Sequence, residues 1–178
     1  MTCLRSGRGN GSHREKRTCI FMLPLEEILN LPAFLIRRCN QIAIGVFLEE
    51  TQGFDLTTAQ WGALSLIAHE PGMDQTRLME RSALDRSSIT KCVERLEAQG
   101  LILREVDPAD KRARRLSVTK DGLALLDAMS DKVRDSQRRL LAPLGDEGAD
   151  SFVKMLQILT AAHNESSRVP VRAPTASV

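Results

Sequence analysis

Two groups of residues in this chain have types and spacing suited to anion recognition. The first is a run of short hydroxyls and cations: Arg86, Ser87, Ser88, Thr90, Lys91 and Arg95. The second is denser, with Lys111, Arg112, Arg114 and Arg115 placing four positive charges in five residues. Ser and Thr hydroxyls let a backbone come close to a phosphate or a base edge and can donate to either, while Lys and Arg bind phosphate oxygens or a guanine edge. Asp107 and Asp110 flank the second group, and an Asp beside an Arg can hold the guanidinium in one rotamer by a charge-assisted bond. Each group alone is equally compatible with a solvated helix face or with an edge hairpin protected by charge. Their succession along the chain is what favours a surface built to bind duplex nucleic acid.

The elements that must position these groups are legible in the pattern. Asp85 can cap a helix whose apolar stripe is Ile89, Val93 and Leu96, with Gly100 at its end. That stripe leaves the hydroxyls and cations on the opposite face, together with Glu94. From Leu101 the period changes to two: Leu101, Leu103 and Glu105 alternate with Ile102, Arg104 and Val106. Asp107-Pro108-Ala109-Asp110 is a turn signal, and Leu116 and Val118 alternate on the return. A short helix capped by Asp74 and carrying Leu78 and Met79 precedes Asp85. Two short helices followed by a hairpin are expected to form a winged helix-turn-helix, with the second helix sized for the major groove of B-DNA and a cationic hairpin tip suited to the minor groove.

Further out the pattern stays helical. Asn30 is expected to cap a helix with Pro32 in its first turn and Leu31, Leu35, Ile42 and Val46 on one face, ending at Gly53. Thr57 and Gln60 have capping-box spacing, opening a helix with Trp61, Leu64 and Ile67 that Pro71-Gly72 stops. Thr119 opens a long helix with Leu123, Leu126, Val133 and Leu140, broken by Pro143. A last helix shows Phe152, Met155, Leu156 and Leu159. The fold class expected is mostly α with a small β-hairpin wing. Residues 1–22 read as a flexible arm, 57–118 as the winged domain, 23–56 and 119–163 as two parts of a helical dimerisation domain, and 164–178 as a flexible tail. The flanking helices, 31–51, 119–141 and 146–163, carry more apolar surface than the winged unit can cover, and a second copy of the chain is the simplest partner.

Composition narrows the function classes. The chain has 178 residues, 42% of them hydrophobic, and a formal net charge of only +2, so the placement of charge matters more than its sum. No apolar run reaches the roughly 18–20 residues of a membrane span, no secretory h-region follows Arg5 and Arg8, and the expected compartment is the cytoplasm. Cys3, Cys19, Cys39 and Cys92 make no CxxC pair and no Cys/His cluster, so free thiols and no metal site are expected. His13, His69 and His163 are scattered, and there is no phosphate loop, HExxH or nucleophile elbow. No catalytic residue and no cofactor are nominated. A winged module used only for protein contacts is the remaining rival, though it needs neither a basic wing nor a polar groove-facing stripe.

The stretch Asp85–Gly122, DRSSITKCVERLEAQGLILREVDPADKRARRLSVTKDG, resembles the MarR family of transcriptional regulators. The resemblance is carried by Leu96-Glu97, Gly100-Leu101-Ile102 and Arg104, then by Asp107, Asp110, Arg112, Leu116, Val118, Thr119 and Gly122. It extends more loosely over residues 30–163. It implies a homodimer with an interlocked helical domain and two winged lobes reading a pseudo-palindromic operator in double-stranded DNA. Ser87, Ser88, Thr90, Lys91 and Arg95 would face the major groove, and Arg112, oriented by Asp110, would enter the minor groove. Half-sites are expected roughly 10 bp apart.

The resemblance also implies a signal. Many members bind small phenolic or aromatic acids between the dimer helices and the DNA lobe, so a repressor released by an aromatic carboxylate is expected. Arg37, Arg38 and Gln41, on the polar side of the first long helix, and Trp61 in the next are the candidate clamp; a core Trp and a solvated Arg pair explain the same residues. Other members sense oxidants through a cysteine. Cys39 and Cys92 are the candidates here, but the tyrosines of the peroxide-sensing members are missing, which favours buried, inert thiols.

Overall fold

The computed structural model describes residues 22–108 and 113–172. The chain divides after Arg37 into two units. The described part of the first holds α1 (Leu25–Leu29) and the start of α2 (Pro32–Glu50). α1 was not expected, and it claims the residue assigned to cap α2. Asn30 closes α1, its backbone N–H turning back to Glu26 and Glu27 and its Nδ2 donating to the Glu26 carbonyl at 2.8 Å. Pro32 then starts α2 without needing a donor to satisfy, which is why an N-cap side chain is dispensable there.

The second unit continues with α3 (Thr58–His69), α4 (Gln75–Ser82), α5 (Arg86–Ala98), β1 (Ile102–Val106), β2 (Arg114–Val118), α6 (Lys120–Leu141) and α7 (Gly145–Ala162). Four of these helices start where short side chains catch an orphan backbone N–H. Thr57 makes a full capping box with Gln60, Asp74 accepts from Arg77 N, Asp85 from Ser88 N, and Thr119 from Gly122 N. Pro143 sits in a single 3-10 turn, Ala142–Leu144, that separates α6 from α7.

The core of the winged unit is aliphatic. Leu64 and Ile67 from α3, Leu78 from α4, Ile89, Val93 and Leu96 from α5, Ile102 from β1 and Leu116 from β2 are all 2% exposed or less. Phe47 of α2 and Met129 and Val133 of α6 extend the same cluster. The wing is antiparallel with Ile102 opposite Val118 and Val106 opposite Arg114. Its inner face is Ile102, Arg104 and Leu116, while Leu103 and Glu105 point outward.

β2 is bonded on both edges, which sequence periodicity does not reveal. Gly72 N donates to Leu116 O and Leu116 N to Met73 O, both at 2.8 Å, and Asp74 bridges Arg115. This bridged segment runs straight into the N-cap of α4. This ties the wing to the helix-turn-helix through backbone rather than through a loose loop.

The turn between α4 and α5 contains a non-glycine left-handed residue, Ala83, with φ 54° and ψ 25°. A Cβ in that region crowds the following carbonyl at a cost of about 1–2 kcal/mol. Ala83→Gly is therefore expected to raise stability by about 0.5–1 kcal/mol, after the extra entropy of an unfolded glycine is subtracted. A urea titration measures it, and a lower midpoint would mean that the methyl group is needed for packing.

α7 is left largely exposed. None of its residues is buried, and Val153, Met155, Leu156, Ile158 and Leu159 are 37–66% exposed. Burying a side chain of this kind is worth about 1.5–3 kcal/mol, so five of them on one helix call for a covering surface.

Candidate nucleic-acid interface

The local sequence builds α5 so that one side is glued down and the other is offered. Ile89, Cys92, Val93 and Leu96 are buried, whereas Arg86, Ser87, Lys91, Glu94 and Arg95 are exposed and Ser88 and Thr90 half-exposed. Asp85 organises the start of the helix. Its carboxylate accepts from Ser88 N at 2.8 Å, Ser87 Oγ at 2.9 Å and Ser88 Oγ at 3.1 Å. Thr90 Oγ1 donates to the Arg86 carbonyl at 2.9 Å. The hydroxyl protons are thus spent inside the helix, leaving oxygen lone pairs outward. To donate to a phosphate, a serine must first turn away from Asp85.

These bonds, the Ser88 backbone N–H first and the two hydroxyls next, hold the Asp85 carboxyl below its ordinary value of about 3.9. A depressed folded pKa stabilises the fold above the unfolded value and loses that contribution as pH falls through the folded one. Asp85→Asn keeps an N-cap but cannot titrate. The variant is expected to lose less stability than the parent between pH 4 and the acid transition. Equal losses in parallel acid titrations would remove Asp85 from the pH response.

Arg95 stands apart from this end. It lies in the last turn of α5, and its Nη2 is 3.8 Å from Asp55 Oδ2, beside Gln99, which donates to the same carboxylate. Two polar residues that the sequence pattern did not single out join the front instead. Gln75 and Thr76, at the first turn of α4, flank a shallow depression with Arg86, Ile89 and Thr90. The signal was present as the polar start of a helix behind its Asp74 cap, where free backbone N–H groups suit a phosphate.

On the wing, Asp110, Lys111 and Arg112 lie outside the described residues. Arg114 and Arg115 stand exposed on β2. The Asp–Arg brace that is described joins Asp107 to Arg115 Nε at 2.9 Å, with the carboxylate 19% exposed. Arg104, on the inner face, pairs with Glu97 at 3.0 Å and so links the wing to α5.

A family profile for the MarR family matches residues 54–113, the stretch from just before α3 to the wing. The putative transcriptional regulatory protein for the hcr operon of Thauera aromatica is 32% identical over 136 residues, covering 75% of this chain and 81% of that relative. The chain belongs to the MarR family. Among other MarR-type relatives, the homoprotocatechuate degradative operon repressor of Escherichia coli is 28% identical over 127 residues, covering 71% of this chain and 86% of that protein. The structure of the transcriptional repressor CouR bound to a 23-mer DNA duplex superposes with a TM-score of 0.71 at 27% identity, covering 78% of this chain and 99% of CouR. As a MarR-family member the chain is a DNA-binding transcriptional regulator of winged-helix type. No described helix is long and apolar enough to cross a membrane, and no group of metal-ligating side chains forms among the described residues.

A cleft of about 710 Å³ opens between α2, α3 and the end of α4, lined by Asn40, Ile44, Phe47, Trp61, Arg81 and Gln137 among others. Trp61 lines it, its ring 6.2 Å from that of Phe47. Arg38 and Gln41 do not. Arg37 stacks over Phe34 at 5.5 Å, and Arg38 and Gln41 are exposed away from the lining. The periodicity placed them on a polar face of α2, but the face turned to α3 is that of Asn40, Ala43, Ile44 and Phe47. The cation of the cleft is Arg81, whose side chain is 6% exposed and paired with Glu70 at 3.1 Å.

The thiols divide. Cys92 is buried, and burial pushes its thiol pKa up, away from the reactive thiolate. Cys39 is exposed rather than buried as expected, because its face of α2 points away from the cleft.

Proposed function

We propose that the chain works as a homodimeric repressor, gripping a pseudo-palindromic operator with α5 in the major groove and the wing in the minor groove, and released by a small aromatic or phenolic carboxylate. The bare apolar side of α7 supports the dimer, since a second copy offers an identical stripe to cover it. Ser87, Ser88, Lys91 and Arg86 would contact the groove, with Gln75 and Thr76 on the adjoining phosphates.

One observation carries the ligand class. Trp61 Nε1 and Arg81 Nε both belong to residues lining the cleft, both are buried, and neither has an acceptor among the described residues. A buried unpaired N–H costs about 1–3 kcal/mol, so two of them, one cationic, invite an anionic acceptor. The walls around them are mainly apolar, with Phe47 and Trp61 to pack an aromatic ring. An operon for homoprotocatechuate breakdown, the target of one relative, fits the same chemistry. Release further requires that the acid bind a DNA-incompetent lobe spacing more tightly than the competent one.

Selection of bound duplexes from a random pool is expected to recover a short inverted repeat. Light scattering is expected to give twice 19.7 kDa. Adding members of a hydroxybenzoate panel to the complex should then release the DNA, and Trp61→Leu should blunt the release. A stable monomer, a pool without enrichment, or indifference to every acid in the panel would each remove the corresponding part of the reading.

A further inference from the structure

Past α7 the chain does something a spent tail would not do. A 3-10 turn, Asn164–Ser166, reverses it, and Asn164 clasps the returning strand through Val171 N at 2.9 Å and Val171 O at 3.0 Å. The returning backbone is then fastened to α4. Arg172 N donates to the Glu80 carbonyl at 2.8 Å, and Arg81 Nη1 donates to the Arg172 carbonyl at 2.9 Å. Val169 and Pro170 are half-buried, and the segment shares a groove with Met79, Glu80, Asp85 and Arg86. The last two of these are the cap and first residue of the recognition helix. Residues 164–172 are therefore a docked strap, where the composition suggested only a flexible tail.

The anchoring is done by the strap's backbone atoms, met by the Asn164 and Arg81 side chains, which leaves the guanidinium groups of Arg168 and Arg172 on the outside. Arg168 is exposed, and Arg172 is 73% exposed. The Arg172 guanidinium makes a surface pair with Glu80 at 3.4 Å, the kind worth little in water and readily exchanged for a phosphate. From Ser166 onward the sequence contains two arginines and no acid. Of the nearby carboxylates, Asp85 is already engaged by the two serines.

We propose that the strap Arg168–Arg172 is an extension of the DNA-binding surface, setting Arg168 and Arg172 beside Arg86 to contact backbone phosphates that flank the groove occupied by α5. The contact is electrostatic and blind to sequence, so it adds affinity and orientation rather than base readout. It rests on the reading of α5 as the groove-facing helix.

The test uses the full chain carrying Arg168→Gln and Arg172→Gln, which leaves the backbone anchors in place. Binding to a fluorescein-labelled duplex of random sequence, and to a selected inverted repeat, is followed by anisotropy over a salt series. The variant is expected to bind both duplexes about three- to tenfold more weakly, with the slope of log K against log salt shallower by about 0.9 for each phosphate no longer neutralised. Arg168→Lys with Arg172→Lys should keep the parent slope. If the double Gln variant is unstable, Arg168→Gln alone, at an exposed side chain, should still flatten the slope. An unchanged slope, or tighter binding because the strap had been shielding α5, overturns the proposal. Failure of the parent chain to bind either duplex overturns instead the reading of α5 on which it rests.

Discussion

Gly122→Ala is expected to lower stability by about 2–4 kcal/mol and to detach the wing from α6. Gly122 is the third residue of α6 and is buried. A Cβ there would overlap the carbonyl oxygen of Leu101 and would stand 2.6 Å from Val118 Cγ1. The first of these is backbone and cannot swing aside, because Leu101 O already accepts from Thr119 N at 3.0 Å. Thr119 also ties the joint with its hydroxyl, donating to Gly100 O at 2.8 Å and accepting from Gly122 N at 3.0 Å. Helix propensity works the other way, since Ala is preferred to Gly in a helix by about 1 kcal/mol. The overlap is the larger effect because relief requires moving the start of α6 away from both ends of the hairpin. A drop in the urea midpoint with loss of DNA affinity is the expected pair of results. A midpoint equal to or above the parent's would show that the joint can open without cost.

What could be read from the sequence here was local. Thr57, Asp74, Asp85 and Thr119 announce helix starts because a short side chain and a backbone N–H three residues on are all the geometry a cap needs. The switch of period at Leu101 announced the wing for the same reason, since alternation across one strand needs no distant partner. Asn30 misled because two helices compete for it and the nearer carbonyl of Glu26 wins. α1, at five residues, is too short to show a period. The Met73–Asp74 edge of the sheet is invisible because two residues cannot alternate, and its partner lies some forty residues on.

The candidate sites divide along the same line. The hydroxyls and cations of α5 follow from a helix drawn around Ile89, Val93 and Leu96, so their exposure could be foreseen. The cleft could not, since which side of α2 meets α3 is a tertiary fact. Arg81 reads as an ordinary helix cation. Its burial depends on Glu70, eleven residues back, and on the carbonyl of Arg172, ninety-one residues ahead. The strap was missed for the reason that its bonds are to backbone, which composition does not encode.

Ser88→Glu is expected to abolish specific DNA binding, by on the order of a hundredfold or more, while leaving the fold intact. The two halves of that expectation have separate causes. Ser88 is the third residue of α5 behind the Asp85 cap, a position where an acidic side chain is welcome to the helix because it faces the positive end of the dipole and can reach the free N–H groups. The neighbouring Asp85 carboxylate loses a hydroxyl donor and gains a like charge, but Ser88 N and Ser87 Oγ still bond it. The fold should therefore stay within a few tenths of its parent midpoint by urea titration. At the surface the same charge joins Arg86 and Lys91 in the first turns of α5, where Ser88 is half-exposed. It cancels part of their attraction for phosphate and points an acceptor at a polyanion. Ser88→Asn, polar but uncharged, separates charge from shape and should cost far less. If the Glu variant folds and still retains operator binding near the parent level, the N-terminal turn of α5 is not what enters the groove. Specificity would then have to come from the wing alone.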